Sequence, residues 1–194
     1  MFESITISLP DWVPAFLANY PSHFPSIENR MKFVLALTRE NIQAKTGGPF
    51  GAAVFETESG KLVSVGVNRV VPENLSSAHA EIVALSFAQK ALAVYDLGGE
   101  GLKDHQLMVN AHMCAMCLGA VCWSGVKNVI YSASSRDVER ITGFDEGPVP
   151  EDTQSILSSR GITLTGGILE KEGVDVLKMY VEEGGFIYNA RRGN

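Results

Sequence analysis

The chain has 194 residues, of which 45% are hydrophobic and 20% charged, and a net charge of −6. That length suits one domain with a full core, and the absence of any run of five or more Lys and Arg counts against a partner gripped by its phosphate backbone. No apolar run nears the roughly eighteen residues of a membrane span, and three cysteines do not suggest a disulfide framework, so the expectation is a cytoplasmic protein whose ligand is small and neutral.

Residues 1–25 contain Pro10, Pro14, Pro21 and Pro25 and read as an N-terminal arm, either extended or a short packed helix. Glu3, Pro10, Asp11 and Pro14 interrupt any leader-like apolar core. Ser26 is placed to cap a helix from Ile27 to about Lys45, with Met31, Val34, Leu35 and Ile42 on its inner face. Gly47-Gly48-Pro49 ends it. Phe50 to Phe55 reads as a strand whose Gly and Ala permit close packing. Glu58-Ser59-Gly60-Lys61 is a hairpin turn, and Leu62 to Asn68 the returning strand. Arg69 to Ser77 reads as a polar loop, with Ser76 or Ser77 available to cap the next helix. That helix runs from His79 to about Leu92 and is expected to bury Ile82, Leu85, Ala88 and Leu92. Gln106 to Asn110 is a strand delivering a helix from Cys114 to near Gly125. A strand at Val129–Ser132, a loop from Ser134 to Pro150, a short helix at Thr153–Ser159 and a strand at Ile162–Thr165 follow. A last helix spans Glu170 to about Glu183, and Gly184-Gly185 releases a C-terminal tail over 184–194. Helices alternating with strands after a hairpin predict an α/β fold, a mixed sheet covered on both faces, as a single domain over 1–194.

Two stretches carry chemistry: Ala78-His79-Ala80-Glu81 and Cys114-Ala115-Met116-Cys117, each opening an apolar helix. One His and two Cys are the three ligands of a zinc that keeps a fourth position for water. Cys114 and Cys117, three apart, share a helical face. Convergent helix N-termini favour thiolates. Glu81 sits two residues from His79, where it cannot easily bind the same metal but can take a proton from the water. H-x-E followed by P-C-x-x-C is the signature of zinc nucleobase deaminases, matched here except that Met113 replaces the Pro. Plainer readings exist. The C-x-x-C could be a redox pair, or the zinc could be structural if a fourth protein ligand closed it. Cys122 lies five residues past Cys117, on another helical face, and reads as core. His112 is too near Cys114 for easy ligation of the same metal. His23 and His105 read as surface residues, and Phe50 and Trp123, on their own evidence, as core.

These residues resemble the cytidine deaminase superfamily over most of the chain, and bacterial guanine deaminases most closely. The matching pieces are Gly47-Gly48-Pro49-Phe50-Gly51-Ala52, Asn68, His79-Ala80-Glu81, Cys114 to Cys117 with Gly119-Ala120, Gly143-Phe144-Asp145-Glu146, and Tyr188-Asn189-Ala190-Arg191. The resemblance implies a three-layer α/β/α sandwich with a five-stranded mixed sheet. It implies Zn2+ on His79, Cys114 and Cys117, Glu81 as proton shuttle, and Glu146 as a second catalytic carboxylate at the departing amino group. Substrate contacts would come from Phe50, Asn68, Ala80, Asp145 and Tyr188. A homodimer is implied, with a tail that closes its own or its neighbour's active site. The chain departs from the family at His112-Met113, where Glu-Pro is usual; the change bears on substrate choice and rate more than on fold.

The function so implied is zinc-dependent hydrolytic deamination of a free nucleobase, guanine to xanthine and ammonia, with no nucleic-acid or membrane partner. Three alternatives stay open: deamination of another heterocycle or nucleoside (a triazine, a pterin, cytosine, guanosine), tRNA adenosine deamination, and a non-catalytic zinc scaffold.

Overall fold

The computed structural model describes residues 4–189. In chain order the helices are α1 (Val13–Leu17), α2 (Ile27–Gln43), α3 (Val70–Glu73), α4 (Ala80–Leu92), α5 (Ala115–Ser124), α6 (Ser135–Thr142), α7 (Thr153–Ser158) and α8 (Glu170–Glu182). The strands are β1 (Gly51–Glu56), β2 (Leu62–Val67), β3 (His105–Ala111), β4 (Asn128–Ala133) and β5 (Thr163–Thr165). They form one sheet in the order β2-β1-β3-β4-β5. β1 runs antiparallel to β2 and β3, whereas β3, β4 and β5 are mutually parallel. A tight turn can only reverse a strand, so the hairpin builds the antiparallel half; the parallel half needs helical crossovers.

Successive strand residues point to opposite faces, which divides the core in two. Ala52, Val54, Leu107, Val109 and Val129 pack under α4 and α5. Ala53, Phe55, Met108 and Ile130 pack against α2 and α8. The expected three-layer sandwich is therefore the fold. Gly66 in β2 permits the closest approach between layers: a Cβ there would collide with the Ala80 carbonyl and the Ala84 amide of α4. Only a residue without a side chain lets the first turn of α4 lie so low on the sheet.

Ser26 caps α2 by accepting from the Asn29 amide, as the sequence predicts. The N-terminal arm takes the packed form of the two expected. Phe24 packs at a tilt on Phe33 and edge-on against Phe55 with ring centroids 4.8 and 5.5 Å apart, and Phe16 packs at a tilt on Phe33 at 5.7 Å. Such pairs add to the area they bury.

Several expectations are corrected. The stretch 69–77 contains α3, and the stretch 134–150 contains α6, whose Ser134 cap accepts from the Asp137 amide. α4 buries Val83 and Ala84 along with Leu85 and Ala88, while Ile82 is half-buried and Leu92 exposed, so its inner face is turned relative to the expected one. His105 is buried, its Nδ1 paired at 2.7 Å with the Leu97 carbonyl. Trp123, expected in the core, is 81% exposed. Cys122 is half-buried. Among the described residues no helix is long and apolar enough to cross a membrane.

Candidate active site

α4 and α5 begin without a side-chain cap from Ser, Thr, Asp or Asn. Their N-cap residues are His79 and Cys114, both in extended backbone conformation. Ser76 and Ser77 do not serve as caps. The two helix N-termini therefore aim their free N–H groups and positive dipole ends at one point. Here His79 Nδ1 lies 3.5 Å from Cys114 Sγ and 3.6 Å from Cys117 Sγ. Metal bonds of about 2.0–2.3 Å in tetrahedral array put neighbouring ligand atoms about 3.6 Å apart, so this trio has the spacing of a zinc site. Among the described residues it is the one cluster whose ligand atoms converge, all within 4.8 Å of one another. Cys122 and His112 are not in it, so three protein ligands are present and the fourth position is left for chemistry.

The hydrogen bond from Cys117, and then that from His79, lower the Cys114 thiol to about 4. Cys117 is pushed up, because it donates to Cys114 and is buried. Glu81, at the second helical position of α4, is 5% exposed. Burial, then the nearby Cys114 charge, raises it to about 7.

The second carboxylate arrives from the other face of the sheet. Gly143, at φ 74°, ends α6 and turns the chain toward α5. The first free amide of α5, that of Ala115, donates to the Glu146 carbonyl at 3.0 Å, and this fixes the loop at the helix start. The Glu146 side chain is buried, and burial, followed by the Cys114 and Glu81 charges, raises it to about 9.

The described part of the tail, up to Asn189, lies against this loop in the same chain. Asn189 Nδ2 donates to the Gly143 carbonyl, and the Asp145 amide donates to Asn189 Oδ1, both at 2.9 Å. Tyr188 packs edge-on against Phe144, which packs edge-on against Phe50, with centroids 4.9 and 5.4 Å apart. The resulting cavity is about 220 Å³. Its walls include Phe50, His79, Glu81, Cys114, Asp145, Glu146 and Tyr188 from the expected set.

Three expected residues stand outside those walls. Cys117 lies beneath as a ligand, Ala80 is fully buried, and Asn68 is fully buried behind Tyr188. Asn68 Nδ2 donates to the Tyr188 hydroxyl at 2.5 Å, while Asn68 Oδ1 accepts from the Gly48 and Val70 amides. Wall residues with no assigned contact include His112, Phe144 and Asn189. All three lie in or beside quoted motif stretches, which is the signal that could have found them. His112 Nδ1 donates to the Met113 carbonyl at 2.9 Å, and its ring meets Tyr131 edge-on. Ala190, Arg191 and Arg192 lie outside the described residues.

The family model for the cytidine and deoxycytidylate deaminase zinc-binding region matches residues 25–133. The chain belongs to the cytidine and deoxycytidylate deaminase family. The cluster of His79, Cys114 and Cys117 fits a zinc site of this family. Among relatives of this deaminase is the guanine deaminase of Bacillus subtilis, 36% identical over 119 residues, 61% of this chain and 71% of that one. A solved structure of guanine deaminase from Nitrosomonas europaea is 47% identical, with a TM-score of 0.87, over 93% of this chain and 97% of that one. A second structure, a complex with 2,6-diaminopurine, is 49% identical with a TM-score of 0.89, over 98% of this chain and all of the other (100%).

Proposed function

We propose that this deaminase hydrolyses guanine to xanthine and ammonia. The observation that carries the reading is the pair of buried carboxylates, Glu81 and Glu146, facing one aromatic-walled cavity beside the zinc ligands. Likeness to guanine deaminases over nearly the whole chain supports it.

His79, Cys114 and Cys117 would hold the zinc, which would supply an acidified water. Glu81, near 7, is poised to accept a proton at its carboxylate and return it to the ring nitrogen beside the reacting carbon. Adding the water's oxygen at C2 and a proton at that nitrogen makes the carbon tetrahedral. The amino group then needs one more proton to leave as ammonia. Glu146, near 9, is still protonated at neutral pH and can give it. The C2–N bond breaks, the added oxygen becomes a carbonyl by giving its remaining proton to the ionised Glu81, and passing that proton on to Glu146 restores both carboxyl groups to their starting states. Phe50 and Phe144 offer flat apolar faces to the purine, and the tail over residues 184–189 excludes water.

The working unit we propose is a cytoplasmic homodimer. None of its three cysteines is in a disulfide, which suits a reducing compartment. α5 has no charged residue, and a helix apolar on all sides is normally covered. Trp123 projects beside a cleft of about 190 Å³ walled by Ile82, Leu85 and Ala120, so a second copy can offer a knob to each hole. Net charge −6 disfavours a tRNA substrate.

The test is ammonia release from guanine, guanosine, adenine, cytosine, a pterin and an aminotriazine. Guanine should have the highest kcat/KM. Glu81→Gln should keep its zinc and lose at least about a hundredfold in kcat. A preference for cytosine or guanosine would overturn the substrate. Full turnover in Glu81→Gln would overturn the mechanism.

A further inference from the structure

His112 lines the cavity but takes no part in the proton transfers of Glu81 and Glu146. Its place is fixed from three sides. The His112 amide donates to the Ala133 carbonyl at 2.8 Å, which carries the pairing of β3 with β4 one residue past the end of β3. The ring meets Tyr131 of β4 edge-on, with centroids 4.8 Å apart. Nδ1 lies 2.9 Å from the Met113 carbonyl. A carbonyl oxygen can only accept, so Nδ1 carries the proton, and the neutral imidazole keeps its lone pair on Nε2.

No described residue pairs with His112 Nε2. Among the described residues the buried side-chain nitrogens left without a partner are Arg69 Nε and Gln106 Nε2, so His112 Nε2 is not sealed inside protein. The open space beside this ring is the cavity. The imidazole thus offers the cavity an acceptor with no proton of its own to give. That acceptor is on the side of the acid. The loop that carries Glu146 is pinned to the start of α5, where the Ala115 amide donates to the Glu146 carbonyl at 3.0 Å. His112 stands three residues before Ala115, tied to the end of β4, so His112 and Glu146 flank the same helix start.

We propose that His112 is a substrate-binding residue whose Nε2 accepts an N–H of the amino group that is to leave. On the reading that the substrate is guanine, that group is the one on C2. In the flat ring the amino nitrogen shares its lone pair with the purine; once the reacting carbon is tetrahedral, the lone pair returns to the nitrogen. One N–H held on Nε2 restricts how that nitrogen can turn and leaves its lone pair to the acid of Glu146. No proton passes to the imidazole, so the balance of the reaction is unchanged. A purine with hydrogen in place of the amino group loses this contact. His112 therefore selects for the group that is removed.

The test is the binding of guanine and of hypoxanthine, the same ring without the amino group, by calorimetry at pH 8, above the ordinary imidazole pKa of about 6.5. The protein is the zinc-loaded Glu81→Gln variant, with and without His112→Phe. Phenylalanine keeps a flat ring against Tyr131 and removes both nitrogens. It should weaken guanine about tenfold, as loss of one hydrogen bond does, and leave hypoxanthine within about twofold. His112→Gln, whose side-chain oxygen can accept in place of Nε2, should restore part of the guanine affinity. With Glu81 intact, His112→Phe should lower kcat for guanine about tenfold while the zinc content stays full. Equal losses for both purines, no loss for guanine, or an unchanged kcat would each overturn the proposal. If guanine fails to bind even with His112 present, the substrate reading falls instead. The same pair of measurements, on the heterocycle the panel prefers and its counterpart without the amino group, then decides for or against His112.

Discussion

Glu81 and Glu146 face one cavity, yet their surroundings hold them apart, near 7 and near 9. Carboxyl groups separated in this way can divide base and acid roles. The rate should rise as Glu81 ionises through about 7 and fall as Glu146 loses its proton near 9. Glu146→Gln should lower kcat, retain zinc and abolish the alkaline fall; a fall unchanged in that variant would remove Glu146 from the reaction. Stability carries the opposite mark. The folded pKa of Glu146 lies above its ordinary 4.5, so the fold prefers the protonated acid. Its contribution is intact below 4.5 and drains away as pH rises toward about 9. Glu146→Gln should therefore melt higher than wild type at pH 8, with the gap closing toward pH 4.5, measured by calorimetry. The zinc ligands and Glu81 were legible because short spacings on two helix starts fix them. Glu146 was legible only by resemblance, since a carboxylate in a loop has no spacing that reveals its burial.

At the level of elements, the placement of α4 on the sheet depends on Gly66. A methyl group there meets backbone atoms of α4, which cannot swing aside as a side chain can. Gly66→Ala should destabilise the enzyme by about 1–3 kcal/mol, the range for overpacking. It should also weaken zinc retention, because His79 is the N-cap of α4 and moves with it. A chelator-competition assay and a melting curve would show both, and unchanged zinc affinity would argue against this coupling. The strands and long helices were readable from their periodicity. α6 was not: only Val138 and Thr142 of its eight residues are buried, and its charged side chains hide the stripe. The inner face of α4 was misread for a different reason. Val83 and Ala84 turn inward because Gly66 brings the helix down onto β2 at that side, and a glycine in one element does not announce which face of another will settle on it.

For the whole molecule, the outer face of α4 and α5 is where a partner copy would sit. Trp123→Asp places a charge at the centre of that face and leaves the chain's own core untouched, since the side chain is 81% exposed. The variant should sediment as a monomer where the wild type is a dimer; a wild type that is monomeric at assay concentration would remove the dimer. Trp123 escaped a sequence reading because an apolar helix has no polar side to announce which face is left uncovered. The same layering separates two jobs along the chain. The zinc ligands and Glu81 all precede residue 133, where the family match ends. Glu146, Phe144, Tyr188 and Asn189 come after it and reach the cavity from the opposite layer. Grafting the final third of a relative onto this chain would therefore exchange the acid Glu146 and the tail as one unit while the zinc ligands and Glu81 stay where they are.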